Sequence, residues 1–178
     1  LTDETHYIAS TGIGGNPAHP SALVQMDAYS VNGLGARQFH HLYAPTHLNP
    51  TYEYGVTFER ATLAEYGDRS HIFISGTASI DNKGNVMHVG EIDKQVERMW
   101  QNVDALLKEA SCGFEDVAQM LVYLRDTADY ELVKAMFEQR FPNTPKVFLL
   151  APVCRPTWLI EMECIAVKEM HNAKFANF

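Results

Sequence analysis

One segment near the end of the chain alternates so strictly that it reads as a strand. From Trp158 to Val167, Ile160, Met162, Cys164 and Ala166 fall on one face, and Leu159, Glu161, Glu163 and Ile165 on the other. The second face mixes two carboxylates with aliphatic neighbours. An acid packed on such a face needs a partner or a chemical task. The plain alternative is an exposed face on which glutamates are solvated, as on many antiparallel sheets.

The pattern upstream supplies the rest of a sheet. Thr57–Glu65 and His71–Ser79 alternate as two strands about the turn at Gly67-Asp68, and Asp81-Asn82-Lys83-Gly84 has the composition of a tight turn. Ile92, Val96, Met99, Trp100, Val103, Leu106, Leu107 and Ala110 recur at helical spacing, with Gly113 as a stop. Met120–Arg125 reads as a third strand. Tyr130, Val133, Met136 and Phe137 mark a second amphipathic helix ended by Pro142, and Val147–Val153 and Trp158–Lys168 are the last strands. The order is strand-strand-helix-strand-helix-strand-strand, an α+β domain whose two helices cover one face of a single mixed sheet. The opposite face, to which Glu161 belongs, stays apolar and uncovered. A closed homo-oligomer is the natural way to bury it, with retained polar groups lining clefts between subunits.

Composition narrows the partners. In 178 residues, 46% hydrophobic and 20% charged, the net charge is −8. That balance argues against nucleic acid or an anionic membrane, and the chain has no basic run and no stretch of 18 apolar residues. Cys112, Cys154 and Cys164 lack paired spacing and read as buried thiols of a cytoplasmic protein. Residues 1–54 are punctuated by glycine and proline, although Ala22–Val31 has strand character. Tyr29, Phe39, Tyr43, Tyr52 and Tyr54 make this region an ordered arm rather than a disordered tail. The division falls near Gly55: an arm over 1–54, a main domain over 55–170 and a tail over 171–178. The arm descends from an upstream domain if Leu1 is not the natural start. His40, His41 and His47 have no acidic or thiol company, so no metal is expected, and no cofactor motif is found.

Five segments in order resemble the reactive-intermediate deaminase family (Rid, also YjgF, often labelled endoribonuclease L-PSP). They are FERA at Phe58–Ala61, FISGTASID at Phe73–Asp81, Gly90–Ala110, Asp116–Val133 and LIEMECIAV at Leu159–Val167. The resemblance implies a chorismate-mutase-like fold, a homotrimer and ligand clefts between subunits. It also implies a Glu on the last strand that positions water, which Glu161 matches, and an Arg that grips the substrate carboxylate. Counting back from Glu161, that Arg position falls on Lys146, which keeps the charge without the bidentate fork. Phe58 stands where the family usually has Tyr, and Lys134 where many members have Asn. A second likeness, carried by FERA, SGTASI at Ser75–Ile80 and Ala151–Glu163, is to the C-terminal half of chorismatase-type proteins, which hydrolyse an enolpyruvyl ether. It adds Arg60 and Arg155 as carboxylate partners.

Each candidate keeps a plain reading beside the functional one. Glu161 is either acid/base or an intersubunit ion-pair acceptor. Arg155 is either a ligand grip or a solvated turn residue. Ser75-Gly76-Thr77 is either a ligand-binding backbone or a bulge of close approach. Cys154 lacks a His or Asp at motif spacing, so a buried thiol is preferred to a nucleophile. Three functions remain. One is an enzyme acting on a carboxylate-bearing enamine, imine or enol ether, with Glu161 and a cation at Lys146, Arg155 or Arg60 in one cleft. Another is a metabolite-binding trimer using the same cleft, and the last a ribonuclease, which the acidic charge disfavours.

Overall fold

Every residue assigned to the inner face of the last strand is buried: Ile160, Met162, Cys164 and Ala166 are each no more than 3% exposed. The structure is a computed structural model that describes residues 7–178; residues 1–6, the start of the arm, lie outside it. The strands are β1 (Phe39–Leu42), β2 (Ala61–Glu65), β3 (Arg69–Ala78), β4 (Val117–Leu124), β5 (Lys146–Leu150) and β6 (Ile160–Glu169), and the helices are α1 (Ile92–Glu109) and α2 (Tyr130–Arg140). They form one six-stranded sheet in the order β1-β2-β3-β6-β4-β5. All pairings are antiparallel except β4 with β5, which the α2 crossover makes parallel.

Both helices pack on the face that carries Ile72, Ile74, Met120, Val122, Ile160 and Met162, because the 3.6-residue spacing turns Val96, Met99, Val103, Leu106 and Leu107 into one stripe. Phe137 of α2 meets Trp100 edge-on at 5.1 Å and Phe148 of β5 at 5.4 Å. α2 therefore seals the end of the sheet that α1 leaves open.

The strand ends fall inside the expected ones at two places. β2 begins at Ala61 rather than Thr57, and β5 ends at Leu150, just ahead of Pro152, whose missing N–H cannot continue a ladder. Ala22–Val31 forms no strand: Ala22 N–H bonds back to His19 O in a turn, and no neighbouring strand lies in register with this segment. A sixth strand, β1, lies instead at Phe39–Leu42, where His40 and His41 point to opposite faces and cannot share one ligand. The tail folds back on the β2–β3 turn: Gly67 N–H donates to Ala176 O, and Phe178 stacks on Tyr66 and His71.

Buried Gln95 and half-buried Arg125 fix where β6 starts. Gln95 of α1 donates to His88 O and Thr157 O and accepts from Leu159 N–H at 3.0 Å. Arg125, at the end of β4, donates to Val153 O, Arg155 O and Trp158 O. The loop entering β6 is thus clamped from both sides. Replacing Gln95 by Leu strips that loop of its partners, and the expected loss is roughly 2–4 kcal/mol of unfolding free energy by urea titration.

Candidate functional site

The site is built on a bulge. β3 and β6 pair regularly up to Ile74 opposite Cys164 and resume with Thr77 opposite Met162, so Ser75 and Gly76 together oppose the single residue Glu163. The extra residue turns the Ser75-Gly76 backbone out of the ladder. Ser75 N–H donates to Arg60 O, and its hydroxyl donates to Glu59 O, while Thr77 Oγ1 donates to Ser75 O. Gly76 then lies directly under the Glu161 side chain: a Cβ there would sit 2.0 Å from Glu161 Oε1. Only glycine permits this approach.

Glu161 is 4% exposed, and among the described residues its Oε2 has no hydrogen-bond partner. Burial, and then the carboxylate of Glu163, push its pKa up from 4.5 to about 7, against a smaller lowering by Arg60. Tyr123 stands opposite Glu161 on β4. Its phenol is held well above the usual range by burial and then by the neighbouring Glu163 carboxylate.

One arginine, Arg60, acts on the carboxyl, and a second, Arg155, is anchored on adjoining backbone. Arg60 is buried and donates through Nε and Nη2 to Asn49 O at 3.1 and 2.8 Å and through Nη2 to Asn49 Oδ1, with the Phe58 ring 5.5 Å away. Arg155 stacks 5.0 Å over Trp158 and donates to Gly84 O at 2.7 Å. Gly84, held at φ +78, packs against Asn49, so the two guanidinium anchors are contiguous. Cys154 is exposed rather than buried because the turn after Pro152 carries it to the rim, where its thiol contacts Gly12 O at 3.2 Å. Its pKa is raised by burial of the sulfur itself and by Glu161, so it is a poor thiolate. Cys112 and Cys164 are buried.

Glu161, Ser75, Gly76, Thr77, Arg60, Phe58, Cys154 and Arg155 thus belong to one region, whereas Lys146 does not. Lys146 opposes Met120, whose other neighbour is Cys164, three positions along β6 from Glu161 or about 10 Å. Its side chain shares the helix side with Phe148, and Nζ donates to Phe141 O and Thr144 O. Alternation forces this: if Phe148 packs on α2, Lys146 points the same way. Lys134 lies on α2, paired with Glu138 at 3.9 Å. Sequence reasoning overlooked Tyr123, Arg125 and Asn49. Tyr123 was legible by alternation, two residues from Leu121 on the face opposite Val122. The arm also reaches the site. Gly76 N–H donates to Thr11 Oγ1 at 2.9 Å.

Comparison with known proteins agrees with this architecture. The family model described as endoribonuclease L-PSP matches residues 62–168. The chain belongs to the endoribonuclease L-PSP family. A RutC family protein of Pyrococcus abyssi is 33% identical over 100 residues, 55% of this chain and 79% of its own length. The 3-aminoacrylate deaminase RutC of Acinetobacter baylyi is 26% identical over 97 residues, 53% of this chain and 77% of its own. A chorismatase crystal structure superposes with TM-score 0.64 and 22% identity over 72% of this chain and 43% of that one, which is a likeness of fold. Among the described residues, no helix is long and apolar enough to cross a membrane.

Two outcomes check the site. Gly76→Ala drives a methyl into the Glu161 carboxyl and is expected to lower stability by roughly 2–4 kcal/mol in urea unfolding. The second concerns pH. A buried acid whose folded pKa exceeds its unfolded value favours the fold below the unfolded value and loses that contribution as pH rises. Between pH 4.5 and about 7, Glu161 therefore withdraws about 3 kcal/mol. The urea midpoint of Glu161→Gln should lack this downward slope, and parallel pH profiles for the two proteins would refute the burial of a charged group here.

Proposed function

We propose that the protein is a cytoplasmic Rid-type enzyme that hydrolyses a carboxylate-bearing enamine, imine or enol ether, with residues 55–170 as the catalytic domain and Glu161 as its acid/base. The observation that carries this reading is the Glu161 carboxyl: buried, unpartnered at Oε2 among the described residues, poised near neutrality and flanked by Arg60. A group with a pKa near 7 can give and take a proton at physiological pH. Protonated Glu161 delivers its proton to the nucleophilic carbon of an enamine, leaving an iminium. Water, deprotonated by the same carboxylate, adds to the iminium carbon, and ammonia departs to leave an oxo acid. An enol ether follows the same course, with an alcohol departing from the oxocarbenium centre.

Arg60 and Arg155 supply positive charge for a substrate carboxylate in place of Lys146. The face bearing Glu161 also presents Val147 and Leu149, 51% and 38% exposed. Burial of this face in a homotrimer would enclose the site between subunits and exclude bulk water. The deaminase relative, similar over three quarters of its length, favours nitrogen-bearing substrates. The second reading is a metabolite-binding trimer using the same cleft; ribonuclease action is disfavoured by the net charge of −8.

The test compares wild type and Glu161→Gln on 2-aminoacrylate, 3-aminoacrylate and chorismate, with light scattering of both. The expected result is a trimer in each case and a loss of roughly 100-fold in turnover for the variant on the accepted substrate. A variant that dissociates yet turns over normally would make Glu161 an interface residue. No turnover on any of the three by wild type would favour the binding reading.

A further inference from the structure

The arm is tied to the site along a line of single hydrogen bonds. Tyr7 N–H donates to Glu59 Oε1, Glu59 N–H to Ile8 O, Ser10 N–H to Ser75 Oγ, Gly76 N–H to Thr11 Oγ1, the Cys154 thiol to Gly12 O and Gly14 N–H to Pro152 O. Residues 7–14 therefore run from the FERA segment, across the bulge, to the turn that carries Cys154. Ala9 forms a parallel bridge with Glu59, so the segment lies like a short extra strand.

Three features separate this strap from an ordinary structural strand. Its two isoleucines face away from the protein, Ile8 72% and Ile13 42% exposed, while Tyr7 is half-buried. The contacts that hold it are polar and individually weak, so ordering the backbone nearly cancels them, and peeling is cheap. It also leaves the acid unsatisfied. Thr11 Cγ2 and Glu161 Oε1 both lie over the bare Cα of Gly76, 2.8 and 2.0 Å from where a Cβ would stand, yet among the described residues the buried Glu161 Oε2 has no partner. A buried carboxyl oxygen left without a donor marks an occupant that fills the space without satisfying the chemistry.

We propose that residues 7–14 are a built-in occupant of the site: the Thr11 hydroxyl takes the Gly76 N–H that a substrate oxygen would take, and the strap lifts when a small carboxylate binds. The proposal rests on the site reading given above. It makes strap and substrate mutually exclusive, so anything that loosens the strap tightens ligand binding by the same factor. Thr11 thus sets affinity without touching the reacting atoms. A ligand able to donate a hydrogen bond, such as an enamine or iminium N–H, gains the Glu161 oxygen that the strap leaves unsatisfied.

The full-length protein decides this, with pyruvate as the probe. Binding is measured for wild type, Thr11→Val, which keeps the shape and removes the hydroxyl, and Thr11→Ser, which keeps it. Amide hydrogen exchange is followed at Ser10 and Tyr7 with and without pyruvate. The expected result is binding about 10-fold tighter to Thr11→Val, wild-type affinity in Thr11→Ser, and faster exchange at Ser10 and Tyr7 in the wild-type complex. Equal or weaker binding by Thr11→Val, with the Ser10 amide still protected in the complex, overturns the proposal and makes the strap a fixed wall. Pyruvate binding that requires Glu161 but ignores Thr11 sinks the strap alone. Failure of pyruvate to bind any of these proteins sinks the strap and the site reading together.

Discussion

The contact between the Glu161 carboxyl and the bare Cα of Gly76 governs this molecule. It exists because β3 carries one residue more than β6 between Ile74 and Thr77. Without that residue, Ser75 and Gly76 would pair in the ladder, and a side chain would occupy the space above them. With it, the backbone turns out and an acid can lie flat against the sheet, out of water, with its proton held near neutrality. The surroundings serve this contact. Arg125 and Gln95 set the height at which β6 begins, and Asn49 fixes Arg60 close enough to temper the burial of the acid. Glu163 works in the opposite direction.

Much of this was legible in the sequence. Two periodicities, 2.0 in Leu159–Val167 and 3.6 in Ile92–Ala110, were enough to place the inner face, the covering helix and Glu161 on the far side. What escaped was whatever depends on pairing rather than pattern. β1 is four residues long and lies among glycines and prolines, so its register against β2 carries no local signal. Ala22–Val31 has the composition of a strand but no neighbour in register, and composition alone cannot supply one.

The misplacement of Lys146 has a different origin. Its position came from counting residues back through the loop from Pro152 to Thr157, where a shift of one reverses the face. Phe148 is the better guide, because an aromatic ring that must meet Phe137 leaves no choice for its neighbours. Cys154 was expected inside for lack of a partner motif; the turn between Pro152 and Pro156 carries it out instead. Arg60 and Arg155, proposed from a likeness of motifs, prove to be anchored on adjoining stretches of backbone at Asn49 and Gly84.

The far border of the sheet has one more consequence. Among the described residues β5 has no neighbour on its outer side, and Leu149 and Leu150 stand exposed along it, which is the profile of a strand inviting uncontrolled addition of further chains. Pro145 and Pro152 bracket it, and neither has an amide hydrogen to carry the ladder far beyond the five residues of β5. This guard acts locally, through the missing amide hydrogens of two prolines, and so protects the nascent chain as well as the finished one. Replacing either proline would lengthen the open edge, and the penalty would appear as insolubility during synthesis while the folded molecule kept its stability.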